Sequence, residues 1–421
     1  MTGWLAYNTA IVLAGTMLLG ASCGLVGCFA VLRRRALLGD ALAHAALPGV
    51  GVAFLLANER SMPVLLLGAL VSGLLGVVIV AVLRFATRTK DDAAIGAVLG
   101  VASALGFVLI RVIQDRTTTG SKAGLASYIL GKTAGMIAQD VYLMAAVSAG
   151  CLAIVWFFYK EFKAIAFDPG FAKVQGWPVL ALDFLLTGLI AVAVVVGLPA
   201  VGGLLITALL IIPAVSARFW TDSLGRMLML STLLGGAIGA CGTALSAQFS
   251  FSPAGPVIVL VGTAAFTGSM LLAPRRGLIA RGLDEARFRR RLARQKLLRM
   301  LYELDEAAGG GPRPFELADV GVTIARIDAM ARDGLATPVG AGRYLLTASG
   351  REQGARAARA SRLWHLFLSE HADLAPSYAD LDAERIDTIL PDEMIRELES
   401  RLLADGSWPV ELPPPAMEAC R

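Results

Sequence analysis

The sequence predicts an all-α polytopic membrane protein with a polar C-terminal domain, and three observations predict it. Of the 421 residues 56% are hydrophobic and 17% charged, with a mean hydropathy of +0.66, far more apolar than a water-soluble chain of this size requires. Charge is unevenly spread, thin from Met1 to Pro274 and dense from Arg275 to Arg421. The apolar part divides into runs near the ~20 residues that cross a bilayer core. Two regions suited to two solvents follow, a membrane body and a water-exposed tail.

Nine apolar runs carry the membrane reading, at about 5–32, 36–57, 63–83, 93–112, 135–159, 178–198, 200–217, 227–248 and 254–273. Eight spans are the alternative, because the sixth and seventh runs almost touch at Pro199. Residues 123–132 are expected as a partly buried loop. The first run has no basic leader segment and no polar sequence behind it, so it reads as a span and not as a secretory signal. With the N-terminus outside, fourteen Lys and Arg of the short loops fall inside, beginning with Arg33, Arg34 and Arg35, and five fall outside. That bias obeys the positive-inside rule and places the tail in the cytoplasm. Small residues crowd the runs, as at Gly235, Gly236, Gly239 and Gly242, which predicts helices packed at close range. Gly202-Gly203 and Pro213 predict a seventh span with irregular ends.

Composition also excludes. A net charge of +5 is too mild to imply nucleic acid. Cysteines 23, 28, 151, 241 and 420 lack metal-finger spacing, and four lie in apolar segments where small packing residues are expected. No Walker-type phosphate loop is present, so this chain cannot power itself.

One stretch carries chemistry. Gly39-Asp40-Ala41-Leu42-Ala43-His44-Ala45-Ala46-Leu47-Pro48-Gly49 sets a carboxylate and an imidazole four residues apart in an apolar run. On a helix the two share one face, and ionisable groups within a membrane span mark functional sites. Carboxylate oxygen and imidazole nitrogen suit first-row divalent metals, whereas the absence of Cys points away from a soft thiolate site. One pair supplies two ligands. Two copies across a dimer axis would supply four, enough to strip part of a hydration shell and weak enough to release. Asp183 lies near the start of a span without a matching partner, and a structural role is expected for it.

A second stretch, Phe167-Asp168-Pro169-Gly170-Phe171-Ala172-Lys173-Val174-Gln175-Gly176, reads as a short helix, capped by Asp168, opened by Pro169 and ended by Gly176. Such a helix on the inner surface suits the receipt of motion from a motor subunit, although the residues alone favour a plain connector. Leu37 to Val50, Phe167 to Gly176, and Val196-Gly197 through Leu204 to Ala214 together resemble, in order and spacing, the zinc/manganese/iron family of ABC importer permeases over roughly residues 5–275. The resemblance implies a dimeric permease, made of a second identical or paralogous subunit, served by a cytoplasmic ATP-binding subunit and an extracytoplasmic metal-binding protein. It implies a metal path past Asp40 and His44 and an ATPase-coupling loop at Asp168, Pro169, Ala172 and Gly176.

The tail begins with a basic amphipathic segment, Asp284 to Met300, suited either to anionic membrane lipid or to a solvated face. Phe315–Val320 and Thr323–Asp333 are expected as two short helices about a turn at Gly321, and Gly334–Thr347 as a wing. Ala348–Ser369 is expected as one long helix. The order resembles the diphtheria-toxin-repressor type of metal-dependent regulator over roughly residues 290–405, most clearly at Leu346–Gly350 and Pro391–Leu398. Where that family places metal ligands this chain has Ser361, His365, Glu384, Asp387 and Thr388, which leaves His365, Glu384 and Asp387 as an eroded candidate set. The expected recognition helix mixes Arg326 and Arg332 with Asp328 and Asp333, a poor phosphate-binding face, so DNA is not among the expected partners.

The expected divisions are a permease domain at 1–275, a basic linker at 276–311, a winged-helix-like domain at 312–347, a helical dimerisation-like domain at 348–405 and a tail at 406–421. The expected function is the permease subunit of an ATP-binding-cassette importer for manganese, zinc or iron in the inner membrane of a bacterium. The chain is expected not to be an enzyme itself and to hold no permanent cofactor. The alternatives are a membrane-tethered metal-responsive transcriptional regulator and an ion-coupled secondary carrier.

Overall fold

The computed structural model describes residues 7–57, 61–116, 131, 133–249, 254–274, 276–309, 314–316, 324–340, 343–371 and 390–415. The expected loop at 123–132 therefore lies largely outside the described residues. The chain forms two compact units, Met1–Arg281 and Gly282–Arg421.

The first unit is helical throughout its described length. Its elements are α1 (Tyr7–Leu32), α2 (Leu38–Ala57), α3 (Met62–Ala86), α4 (Asp91–Arg116), α5 (Ala138–Phe157), α6 (Tyr159–Phe167), α7 (Pro169–Val174), α8 (Val179–Val201), α9 (Gly203–Trp220), α10 (Leu224–Gln248) and α11 (Ala254–Leu272). Among the described residues, eight helices are long and apolar enough to cross a membrane, and the apolar part of α9 is shorter. The sequence predicts nine spans, with eight as the alternative. The seventh run differs because Gly202, at φ +88°, stops α8 and starts α9 within one residue, a backbone that glycine adopts without a Cβ clash.

Side-chain neighbours give the direction of each helix. Along α1 and α10, Thr16 meets Thr243, Gly24 meets Ser231 and Cys28 meets Met227, so the two are antiparallel. Along α9 and α11, Leu205 lies by Gly255, Ile212 by Gly262 and Phe219 by Phe266, so these run parallel. Gly197 of α8 packs against Ile206 of α9, so the chain folds back at Gly202. Helix α9 is thus a return pass, and the start of α1 and the end of α11 lie at opposite ends of the bundle. The close packing predicted from small residues is visible at Gly20 and Gly235, where an added Cβ would stand 2.1 Å from the facing carbonyl oxygen.

The second unit opens within α12 (Leu278–Ala307) and continues with β1 (Phe315–Glu316), α13 (Ile324–Arg332), β2 (Ala336–Gly340), β3 (Arg343–Leu346), α14 (Ala348–His371) and α15 (Asp392–Ala404). The strands form an antiparallel sheet in the order β1-β3-β2, with the β2–β3 hairpin in the place of the predicted wing. Two expectations change. Phe315-Glu316 is a strand paired with Arg343-Tyr344 and not the start of a helix; stacking of Phe315 on Tyr344, with ring centroids 6.4 Å apart, outweighs its local pattern. The segment 276–311 is not a separate linker, because Leu297, Leu298 and Leu301 of α12 are buried with Ile327, Met330, Leu335 and Leu346. Leu297 and Leu301 stand one turn apart on one face, with Leu298 beside them, and the winged-helix core needs that face. A further core joins Leu363 and Trp364 of α14 to Leu398 and Leu402 of α15.

Candidate metal site and coupling surface

Helix α2 carries the Asp40/His44 pair as the four-residue spacing predicts. His44 Nε2 lies 3.7 Å from Asp40 Oδ1, with the two side chains 26% and 32% exposed. Both remain chemically open: Asp40 Oδ1 and His44 Nδ1 are buried without a hydrogen-bond partner. Such groups are costly unless something else satisfies them. Pro48, inside the same helix, has no N–H to donate to the carbonyl of His44, so that turn also lacks an intrahelical bond. The start of α9 lies against this part of α2, with Gly203 facing Ala43 and Thr207 and Leu210 facing Gly39. Among the described residues, no group of three or more His, Cys, Asp or Glu gathers to hold a metal, so no third side chain of these types joins Asp40 and His44 there.

Five ionisable groups meet at the end of the bundle where α1 passes into α2. Arg35 Nη1 donates to both carboxylate oxygens of Asp183, at 3.0 and 3.1 Å, and its Nε donates to Asp91 at 3.2 Å. Arg33 also donates to Asp183. Arg84 lies 3.6 Å from Asp91 and 3.7 Å from Asp183. The Arg33, Arg35 and Asp183 side chains are 10%, 11% and 13% exposed. Burial lowers the Arg33 guanidinium from its ordinary value, and the charge of Asp183 opposes that shift. Arg34, between the two arginines, holds the left-handed conformation at φ 57°, a strained backbone for a non-glycine residue. Asp183 therefore has three cationic neighbours where the sequence showed no partner. Its partners are distant in the chain: Arg33 and Arg35 lie in the turn between α1 and α2, and Arg84 in the last turn of α3.

The stretch from Asp168 to Gly176, expected to couple to an ATPase, forms α7. Asp168 Oδ1 accepts the N–H of Phe171 at 2.9 Å, and Pro169 is the first helical residue. Gly176, at φ +83°, closes it as Trp177 N–H bonds to Ala172 O and Gly176 N–H to Lys173 O, a Schellman ending. Ala172 is fully buried, whereas Phe167, Phe171 and Val174 are exposed, Val174 to 88%. Phe162 of α6 anchors this region on Phe29 of α1, with ring centroids 5.6 Å apart.

In the tail His365 is exposed on α14 and belongs to no group of three or more His, Cys, Asp or Glu among the described residues. Ser361 is buried and accepts a hydrogen bond from the Arg299 guanidinium, so a cation of the protein itself meets this position. Glu384, Asp387 and Thr388 lie outside the described residues.

A bundle of apolar helices with one open carboxylate–imidazole pair and a capped amphipathic helix at one end defines a multi-pass membrane permease. The chain belongs to the ABC 3 transport family, which it matches over residues 6–273. Residues 347–404 match the iron dependent repressor, metal binding and dimerisation domain. The manganese transport system membrane protein MntC of Bacillus subtilis is 38% identical over 400 residues, covering 94% of this chain and 91% of that protein, so the likeness extends into the tail. The zinc transport system membrane protein TroC of Treponema pallidum is 45% identical over 273 residues, covering 65% of this chain and 91% of that protein. Among solved structures, PsaBC from Streptococcus pneumoniae in complex with Fab aligns with a TM-score of 0.57 at 32% identity, over 64% of this chain and 94% of that one.

Proposed function

We propose that this chain is the permease subunit of an ATP-driven importer of divalent first-row metal ions, and that Asp40 and His44 line the metal path. The observation that carries the reading is the pair of buried, unpartnered atoms on α2. A passing cation and a second copy of the chain would satisfy them, four ligands being supplied by two copies. The names of the relatives, manganese for one and zinc for another, agree with a donor set of oxygen and nitrogen, and iron fits the same donors.

The N-terminus lies outside, and the end bearing Arg33, Arg84, Lys163 and α7 faces the cytoplasm, since this placement puts most short-loop cations inside. There the exposed Phe167, Phe171 and Val174 are the docking face for a separate ATP-hydrolysing subunit, and the opposite end receives a metal-binding protein. The tail lies in the cytoplasm. Its groove of about 490 Å³, lined by Arg289, Arg290, Arg291 and Arg294 with Leu297 and Met330, suits anionic lipid. Asp333, on the expected recognition helix, pairs with Arg294, and Asp328 accepts the Tyr344 hydroxyl, which does not favour a DNA-reading role.

Metal uptake by cells carrying Asp40→Asn or His44→Ala tests the assignment. Uptake should fall at least tenfold while the variants insert in the membrane in normal amounts; unchanged uptake in both would refute it.

A further inference from the structure

The ion cluster around Asp183 joins the start of α8, the helix that follows α7, to the turn that leads into Asp40 and His44. Only four residues separate Val174, the end of α7, from Val179, the start of α8. Those residues are braced by Trp177 O accepting the N–H of Val179 at 2.8 Å and Pro178 O accepting that of Leu182 at 3.0 Å. Asp183 stands on the second turn of α8 and is gripped by Arg33 and Arg35. From Arg35 the chain enters α2 directly, the N–H of Leu38 bonding to Arg35 O at 3.1 Å, and Asp40 follows two residues later. Asp183 also draws in Arg84 at the end of α3, and Arg35 and Arg84 in turn hold Asp91 at the start of α4. One cluster thus ties four segments at a single end.

Two features set it apart from a passive tie. Three guanidinium groups line this end beside two carboxylates, and a divalent cation leaving by that end has to pass their positive charge. The turn between its two first arginines is held in a strained conformation at Arg34, so release of Asp183 lets that turn relax. A cavity of about 30 Å³ beside Arg35, Arg84, Asp91 and Asp183 gives room for about one water, enough to solvate a parting ion pair.

We propose that Asp183, with Arg33, Arg35, Arg84 and Asp91, is the latch of the cytoplasmic gate: closed as seen here, and opened once per cycle when the motor subunit displaces α7 and α8. Asp183 is a positioning residue that acts on Asp40 and His44 through Arg35 and touches no metal. The inference rests on the permease reading above and adds the route by which ATP hydrolysis is coupled to movement of the ion.

The test uses the whole importer, with its ATPase and metal-binding protein, in proteoliposomes, and reads metal transported per ATP hydrolysed. Asp183→Asn should lower that ratio at least tenfold, with ATP hydrolysis no longer stimulated by the metal-loaded binding protein, and Asp183→Glu should restore most of it. Val80→Cys with Thr187→Cys, two positions lining the cavity on α3 and α8, should transport normally until joined by a short bis-thiosulfonate cross-linker. Transport should then stop and return on reduction. A ratio unchanged in Asp183→Asn, or normal transport by the cross-linked complex, would overturn the latch. If instead the unaltered complex moves no metal, it is the permease reading that fails.

Discussion

Removing one charge from the Asp183 cluster should cost more stability than any other single polar substitution in the membrane unit. Asp183→Asn keeps the size of the side chain and deletes its charge, leaving Arg33 and Arg35 facing each other. At the observed 3.0 Å, an effective dielectric constant of ~20 gives roughly 5 kcal/mol of attraction per pair. Part of that only offsets the desolvation of the buried guanidinium groups, and stranding a buried charge costs about 3–5 kcal/mol net. For a domain of this size that corresponds to a fall in Tm on the order of 10 °C. Thermal unfolding of the purified chain in detergent measures it, with Asp183→Glu as the charge-retaining comparison. Because the pair is buried, the difference should persist in 0.5 M salt, well above the ~0.1 M at which screening already reaches about 10 Å. A shift below about 2 °C, or one abolished by salt, would show that the arginines are satisfied by solvent and that the electrostatic reasoning is wrong.

Three further outcomes follow from the packing and the caps. Gly235→Val should destabilise the α1–α10 seam by about 1–3 kcal/mol, since its Cβ would meet Gly20 O at 2.1 Å; Gly96→Ala, with nothing within 4 Å, should be neutral in the same melt. Asp168→Ala removes the cap of α7 at a local cost of about 1 kcal/mol, and should weaken pull-down of the ATPase subunit while leaving the membrane bundle's melting temperature unchanged. Tyr344 has its phenol pKa raised by donation to the Asp328 carboxylate. The folded tail therefore holds this proton more tightly than the unfolded chain: its contribution is complete below about pH 10 and is lost as pH rises through the raised value. Ultraviolet titration at alkaline pH should show the wild-type chain losing a late-titrating tyrosine that Tyr344→Phe lacks; equal titration curves apart from one ordinary tyrosine would contradict this.

The local features of this protein are legible one residue at a time. Apolar runs of bilayer length need only counting, the α7 helix needs only Asp168, Pro169 and Gly176, and the Asp40/His44 face follows from the helical period. The resemblance seen in Leu37–Val50 agrees with the family match that the whole membrane unit shows. Where reading failed, the deciding energy was nonlocal. Phe315-Glu316 is a strand because Tyr344, 29 positions on, lies opposite. The second half of α12 is core because α13 and the hairpin cover it.

By itself, the sequence determined which segments avoid water, which helix ends are capped and that Asp40 and His44 share one face of a helix, since each depends on composition or on spacing within one turn. The tertiary structure decided that α9 doubles back at Gly202, that no third His, Cys, Asp or Glu joins Asp40 and His44 among the described residues, and that Asp183 is held by Arg33, Arg35 and Arg84. Those are statements about which surfaces meet. Contact energies between segments up to 227 positions apart leave no local period in the chain, because burial and charge pairing act through space.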